Sequence, residues 1–156
     1  MPVPVSGPDA PSPLYSYPAT VLDIHDGDTI RWRLDKGHGA EMTMWLRMAG
    51  YDAAEIKDAD RGTKARDLVT KLLADVTTRT DFKGWVVQSI RTTGGADVMT
   101  FARYLGYVFG SFVDKSAPGG LRFEPMNPAI YNALKTAGLL KRGSKWNPPA
   151  ETDPPG

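Results

Sequence analysis

From Glu41 to Met48 the chain alternates, with Met42, Met44, Leu46 and Met48 interleaved with Thr43, Trp45 and Arg47. A period of two predicts a strand and puts Arg47 on the face opposite the methionines. Tyr17–Ile24 and Thr29–Leu34 read as two earlier strands, rich in β-branched and aromatic residues and joined by the tight-turn sequence His25-Asp26-Gly27-Asp28. Lys36-Gly37-His38-Gly39 supplies the next turn, so the first three strands form a meander. Over residues 61–76 the period changes: Ala65, Leu68, Val69, Leu72, Leu73 and Val76 recur at helical spacing, opposite Lys64, Arg66, Asp67, Lys71 and Asp75. Trp85–Ile90 and Phe101–Phe109 read as strands, and a second helix is expected from near Pro128, capped by Asn127 and stopped by Gly138. Three strands, a helix, two strands and a helix predict an α+β fold: a five-stranded OB-type β-barrel with two or three α-helices packed outside it.

Prolines divide the chain. Of thirteen, six fall within residues 2–18 and four within 148–155, which delimits a Pro-rich tail over 1–16, a barrel domain over 17–146 and a second tail over 147–156. Such tails cannot bury enough apolar surface to fold alone. Two readings stand: flexible tails, or tails that dock on a protein partner or a neighbouring subunit. The 156 residues suit one domain with a real core, and no apolar run approaches the length of a membrane span. Residues 1–18 show neither a basic start nor an apolar stretch, so a secretory signal is not expected and a cytoplasmic location or a place in a viral particle is favoured. The absence of cysteine removes disulfides, thiolate metal sites and a thiol nucleophile. A net charge of +1 predicts little long-range attraction for nucleic acid. Lys135, Lys141, Arg142 and Lys145 nevertheless follow one another with no acidic residue between them.

Five ionic residues stand out: Asp28, Arg47, Asp52, Glu55 and Arg103. Asp28 lies in a turn where Asp and Gly are favoured for backbone reasons, and is alternatively a carboxylate ligand for a hard cation. Asp52 and Glu55 follow Gly50 and read either as a polar loop or as a metal ligand and a general base. Arg47 and Arg103 sit in apolar strand runs, where a guanidinium needs an anion: a structural carboxylate, or a phosphate held by the planar fork. Together they are what phosphodiester hydrolysis asks of a protein. His25 and His38 have no second ligand at metal spacing and read as surface or turn residues.

In this order and on these elements, the residues resemble the staphylococcal-nuclease-like (thermonuclease) family. That family shows an Asp-Gly-Asp-Thr turn, an Arg-Leu-x-Gly-x-Asp-x-Pro-Glu segment, a Gly-led helix, a Tyr-Gly-Arg strand and a Val-Asn-x-x-Leu-x-x-x-Gly-Leu-Ala helix. Here the matching stretches are Asp26–Thr29, Arg47–Glu55, Gly62–Ala74, Phe101–Arg103 and Met126–Leu139, within about residues 17–140. The resemblance implies Ca²⁺ held by Asp28, Asp52 and the carbonyl of Ala53, with Glu55 as the base that activates water. It implies Arg47 and Arg103 on the scissile phosphate, and Ca²⁺-dependent hydrolysis of DNA or RNA to a 3′-phosphate and a 5′-hydroxyl. Ala54 stands where the family has Pro, and Met99-Thr100-Phe101-Ala102 where many members have Asp, Lys, Tyr and Gly. Phe101 reads as barrel core or as a stacking surface for a base of the bound nucleic acid. The rival expectations are a non-catalytic nuclease-like binding module and a structural component of a larger, for instance viral, assembly.

Overall fold

The alternating segment forms a strand, β3 (Ala40–Met48), in which Met44, Leu46 and Met48 are buried while Arg47 faces the other way. The computed structural model describes residues 7–12, 15–90, 99–100 and 103–149. The expected meander is present: β1 (Ser16–Asp26), β2 (Thr29–Gly37) and β3 pair antiparallel in sequence order. After helix α1 (Ala59–Thr77) come β4 (Phe82–Ser89), the short β5 (Met99–Thr100), β6 (Arg103–Val113) and β7 (Leu121–Pro125), then helix α2 (Met126–Ala137). The sheet runs β3-β2-β1-β4-β6, and a parallel pairing of β3 with β6 joins its two ends. Five strands therefore close into a barrel, leaving β5 and β7 as additional partners of β6.

Trp32, Ile30, Leu46 and Met48 fill the interior with side chains from both helices. From α1 the predicted stripe supplies Ala65, Val69 and Leu73, all buried. From α2 come Ile130, Tyr131 and Leu134. A period-3.6 stripe buries its face only against another apolar surface, and here that surface is the cluster of Ile30, Trp32, Leu46 and Met48. Gly62 allows α1 its close approach: a Cβ at that position would overlap the carbonyl of Glu55. Gly138 ends α2 in the left-handed region at φ 71°, and the Leu139 amide donates back to the Leu134 carbonyl at 2.8 Å.

Three elements depart from the sequence expectations. Strand β7 was not expected, since Leu121-Arg122-Phe123-Glu124-Pro125 is short and ends in proline. The segment expected as one strand from Phe101 is described only from Arg103 onward, with Phe101 and Ala102 outside the described residues. Asn127 is not the cap of α2 but lies inside it, buried. Its side chain accepts from the Val108 amide at 2.9 Å and donates to the carbonyls of Ala49 at 2.9 Å and Gly106 at 3.1 Å. It thus joins α2 to β6 and to the end of β3 through backbone groups, sharing the Gly106 carbonyl with the Ala49 amide.

Candidate active site

The β1–β2 turn places Asp28 at the barrel rim. Asp28 is buried, and its carboxylate accepts from the Ala53 amide at 3.0 Å and from the Thr29 hydroxyl at 3.1 Å. Its own amide donates to Asp26 at 3.2 Å, the local bond expected of an Asp-Gly turn. The Tyr51 hydroxyl, buried and held protonated chiefly by that burial, donates to the Gly27 carbonyl at 2.8 Å and pins the turn from below.

The loop after β3 brings the remaining groups. Arg47 makes an ion pair with Asp52, and the same guanidinium lies 3.6 Å from Asp28. One cation therefore bridges two of the three carboxylates that the sequence singles out. Ala53 is set by a bridge to Leu140, in which the Ala54 amide donates to Leu139 and the Lys141 amide donates to Asp52, both at 2.9 Å. In extended backbone the N–H and C=O of one residue point the same way. The Ala53 carbonyl is therefore directed to the side on which its amide meets Asp28. Glu55 lies across a cavity of about 270 Å³ lined also by Asp28, Arg47, Asp52 and Lys141. Lys57 at 3.2 Å and Lys141 at 3.7 Å flank its carboxylate.

Charge follows from placement. Burial, reinforced by hydrogen bonding and charge from Asp26, raises the pKa of Asp28 to about 7, although Arg47 and the Ala53 amide oppose the shift. Glu55 is shifted the other way: its hydrogen bond to Lys57 and that ammonium's charge, with Lys141 behind them, hold it below the usual carboxylate range. Two carboxyl groups on one cavity are thus separated in proton affinity, a pattern associated with divided chemical roles.

The structure gathers Asp28, Arg47, Asp52, Ala53 and Glu55 at one cavity. Arg103 opens β6 two residues before Leu105, the register partner of Arg47; its side chain and the whole of Phe101 lie outside the described residues. Among the described residues no three His, Cys, Asp or Glu side chains come together as a cation cluster. The oxygen donors of Asp28, Asp52 and Ala53 nevertheless form a set suited to a hard cation. The buried, partly compensated Asp28 carboxylate is the group such a cation would relieve, and the Arg47 guanidinium supplies the positive charge beside it.

Sequence reasoning assigned no role to Tyr51, Lys57 or Ser144. The Ser144 hydroxyl accepts from the Asp52 amide at 2.9 Å. Nothing local marks Tyr51 and Ser144, whose partners are 24 and 92 positions away, whereas Lys57 stands two residues from Glu55 and its sequence proximity was a signal that could have found it. Lys141 belongs to the run of basic residues after α2, and that run was the visible signal. Segment 139–147 lies against the site loop through bridges Ala53↔Leu140 and Gly50↔Asn147. Beside it a second hollow of about 660 Å³ shares Arg47 and Asp52 with the first and adds Lys145 and Trp146. Comparison of the sequence with protein-family models and with curated proteins returns no match.

Proposed function

We propose that this chain is a Ca²⁺-dependent phosphodiesterase acting on DNA or RNA, with an OB-type barrel of the staphylococcal-nuclease-like kind. The observation that carries the reading is the convergence of Asp28 and Asp52 on Arg47 at the mouth of a cavity that also holds Glu55. A binding surface for phosphate has no physical need for three carboxylates, which would repel the ligand. A hydrolase needs them as cation ligands and base. Asp28, Asp52 and the Ala53 carbonyl would hold the cation, which supplies Lewis-acid polarisation of a phosphoryl oxygen. Glu55 takes a proton from the attacking water. Arg47 and Arg103 stabilise the charge that builds on the phosphoryl oxygens as the water oxygen bonds to phosphorus and the 5′-oxygen leaves with a proton. The products are a 3′-phosphate and a 5′-hydroxyl.

One observation favours a second reading, in which the module binds nucleic acid or a larger assembly without cutting. Glu55 is clasped by two lysines and Arg47 is committed to two carboxylates. Incubation with labelled single- and double-stranded DNA and RNA, with Ca²⁺ or with chelator, separates the two. Calcium-dependent cleavage yielding 5′-hydroxyl ends is the result expected of the hydrolase; retained binding without cleavage at any metal supports the module.

A further inference from the structure

The outer face of the meander carries, beyond Arg47, a row of residues to which the site gives no role. Along β2 the outward positions include Arg31 and Arg33, both exposed, and along β3 they include Trp45 and Arg47. The register pairs Thr29 with Arg47, Arg31 with Trp45 and Arg33 with Thr43. Trp45 therefore stands one outward step from Arg47, about 6.8 Å along the strand. Trp32 and Trp85 point into the core. Trp45 instead lies on the solvent side, with the His25 ring edge-on at 6.2 Å and the Arg31 guanidinium 6.0 Å from its centre. His25 also lines the cavity that holds Asp28 and Glu55, so the row leads from the cavity onto the barrel wall.

A half-buried indole edged by a second ring, with guanidiniums spaced along two neighbouring strands, is how barrel proteins bind single-stranded nucleic acid: bases stack and phosphates follow the positive side chains. The charges are available. Among the described residues Arg31 makes no ion pair, and Arg33 meets only Glu41, at 3.9 Å with both groups exposed, an interaction of little strength. Asp23, the register partner of Arg31, is the acidic neighbour on β1, and Asp35 and Glu41 lie at the far end of the hairpin. Around Trp45 the two arginines therefore meet one carboxylate on the neighbouring strand, Asp23, while Asp35 and Glu41 lie toward the hairpin end.

We propose that this face, formed by His25, Trp45, Arg31 and Arg33, is a subsite for unpaired nucleotides flanking the phosphate at Arg47. The inference rests on the reading of the cavity as a phosphodiesterase site, but concerns binding rather than chemistry. An unpaired base is required because a stacked, paired one presents no free ring face to Trp45. The subsite therefore selects single-stranded over duplex substrate.

The test is fluorescence anisotropy of a labelled oligothymidylate of roughly eight nucleotides, in chelator so that no cleavage intervenes, beside titration with thymidine monophosphate as the small probe. Wild type, Trp45→Ala, Trp45→Phe and the double variant Arg31→Gln/Arg33→Gln are compared after their thermal unfolding has been checked. Trp45→Ala and the double variant each weaken oligonucleotide binding by about tenfold or more, leave the monophosphate unaffected, and Trp45→Phe restores most of the loss. Oligonucleotide affinities within about twofold of wild type, or absence of oligonucleotide binding by wild type, overturn the proposal. An equal loss for the monophosphate also overturns it, since that places the effect at the cavity. If Trp45→Ala fails to fold, the double variant, confined to exposed side chains, decides. Oligonucleotide binding that depends on Trp45 while calcium-dependent cleavage is absent upholds the subsite and rejects the hydrolase.

Discussion

The carboxylate of Asp28 accepts a hydrogen bond from the amide of Ala53 at 3.0 Å across 25 residues of sequence. This bond ties the turn after the first strand to the loop after the third. Arg47, between them, reaches both Asp28 and Asp52. The arrangement makes the rim of the barrel an electrostatic device, with consequences that can be measured.

The first concerns pH. Burial raises the pKa of Asp28 to about 7, whereas in the unfolded chain it is about 4. Between those values the folded state keeps a proton that the unfolded state releases. The protonated group contributes stability that is fully present below about pH 4 and is lost as pH rises through about 7. In chelator, Asp28→Asn removes this slope and is more stable than wild type at pH 8, by on the order of 1–2 kcal/mol. Urea unfolding at pH 4, 6 and 8 checks it; parallel pH dependence of the two proteins would show that Asp28 does not hold the proton.

Gly62 is a second point of control. Its Cα faces the Glu55 carbonyl so closely that an added Cβ must push helix α1 or the site loop aside. Gly62→Ala should destabilise by roughly 1–3 kcal/mol through overpacking, although alanine is otherwise the better helix former. Differential scanning calorimetry reads the loss. A neutral or stabilising effect would contradict the packing of α1 on residues 55–56.

Asn127 supplies three buried hydrogen bonds to backbone groups of β6 and the β3 end. Asn127→Leu leaves the Val108 amide and the Ala49 carbonyl without this partner, while Gly106 keeps its bond from the Ala49 amide, and should cost about 2 kcal/mol or more, lowering the unfolding midpoint. Asn127→Asp keeps the acceptor for Val108 but loses the donor to Ala49 and Gly106, and is expected to be destabilised as well. A stable Leu variant would refute the cross-linking role.

Lys57 is the first cause of the low pKa of Glu55. In Lys57→Gln the Glu55 carboxyl rises toward the ordinary range, and Lys57→Gln/Lys141→Gln raises it further. NMR titration of the Glu55 side chain follows this directly. An unchanged midpoint would mean that the lysines do not hold the carboxylate in solution.

Much of the fold was legible because the local signals agree with the tertiary arrangement. The alternation in β3 placed Arg47 outside and the methionines inside, and of the six residues in the α1 stripe Ala65, Val69 and Leu73 are buried while Leu68, Leu72 and Val76 are partly buried. Where the fold was not legible, the determining contacts were distant. Asn127 precedes a proline at a helix start and looks like a cap, but its partners lie 19, 21 and 78 residues away. The five-residue β7 alternates Leu121 and Phe123 with Arg122 and Glu124, but it is short and ends in proline, and its pairing with β6 is what makes it a strand. At the site, the ionic residues were visible one by one, as was the order that places them on turns and strand ends. Their pairing was not: the sequence left open whether Arg47 meets a carboxylate or a phosphate, and the structure shows it bridging Asp28 and Asp52. Of the lysines around Glu55, Lys57 is a sequence neighbour, but Lys141 was hidden, because it reaches Glu55 only once segment 139–147 has folded back on the site loop.

The most direct test of the account is single-turnover cleavage of labelled single-stranded DNA in Ca²⁺ by wild type, Glu55→Gln and Arg47→Ala, with folding of each verified by circular dichroism. Wild type cleaves in Ca²⁺ and chelator abolishes the cleavage, while each variant loses about 10²–10³ in rate, the scale of removing one group that acts on the transition state. Wild-type rates in either folded variant, or no cleavage by folded wild type, would contradict the account.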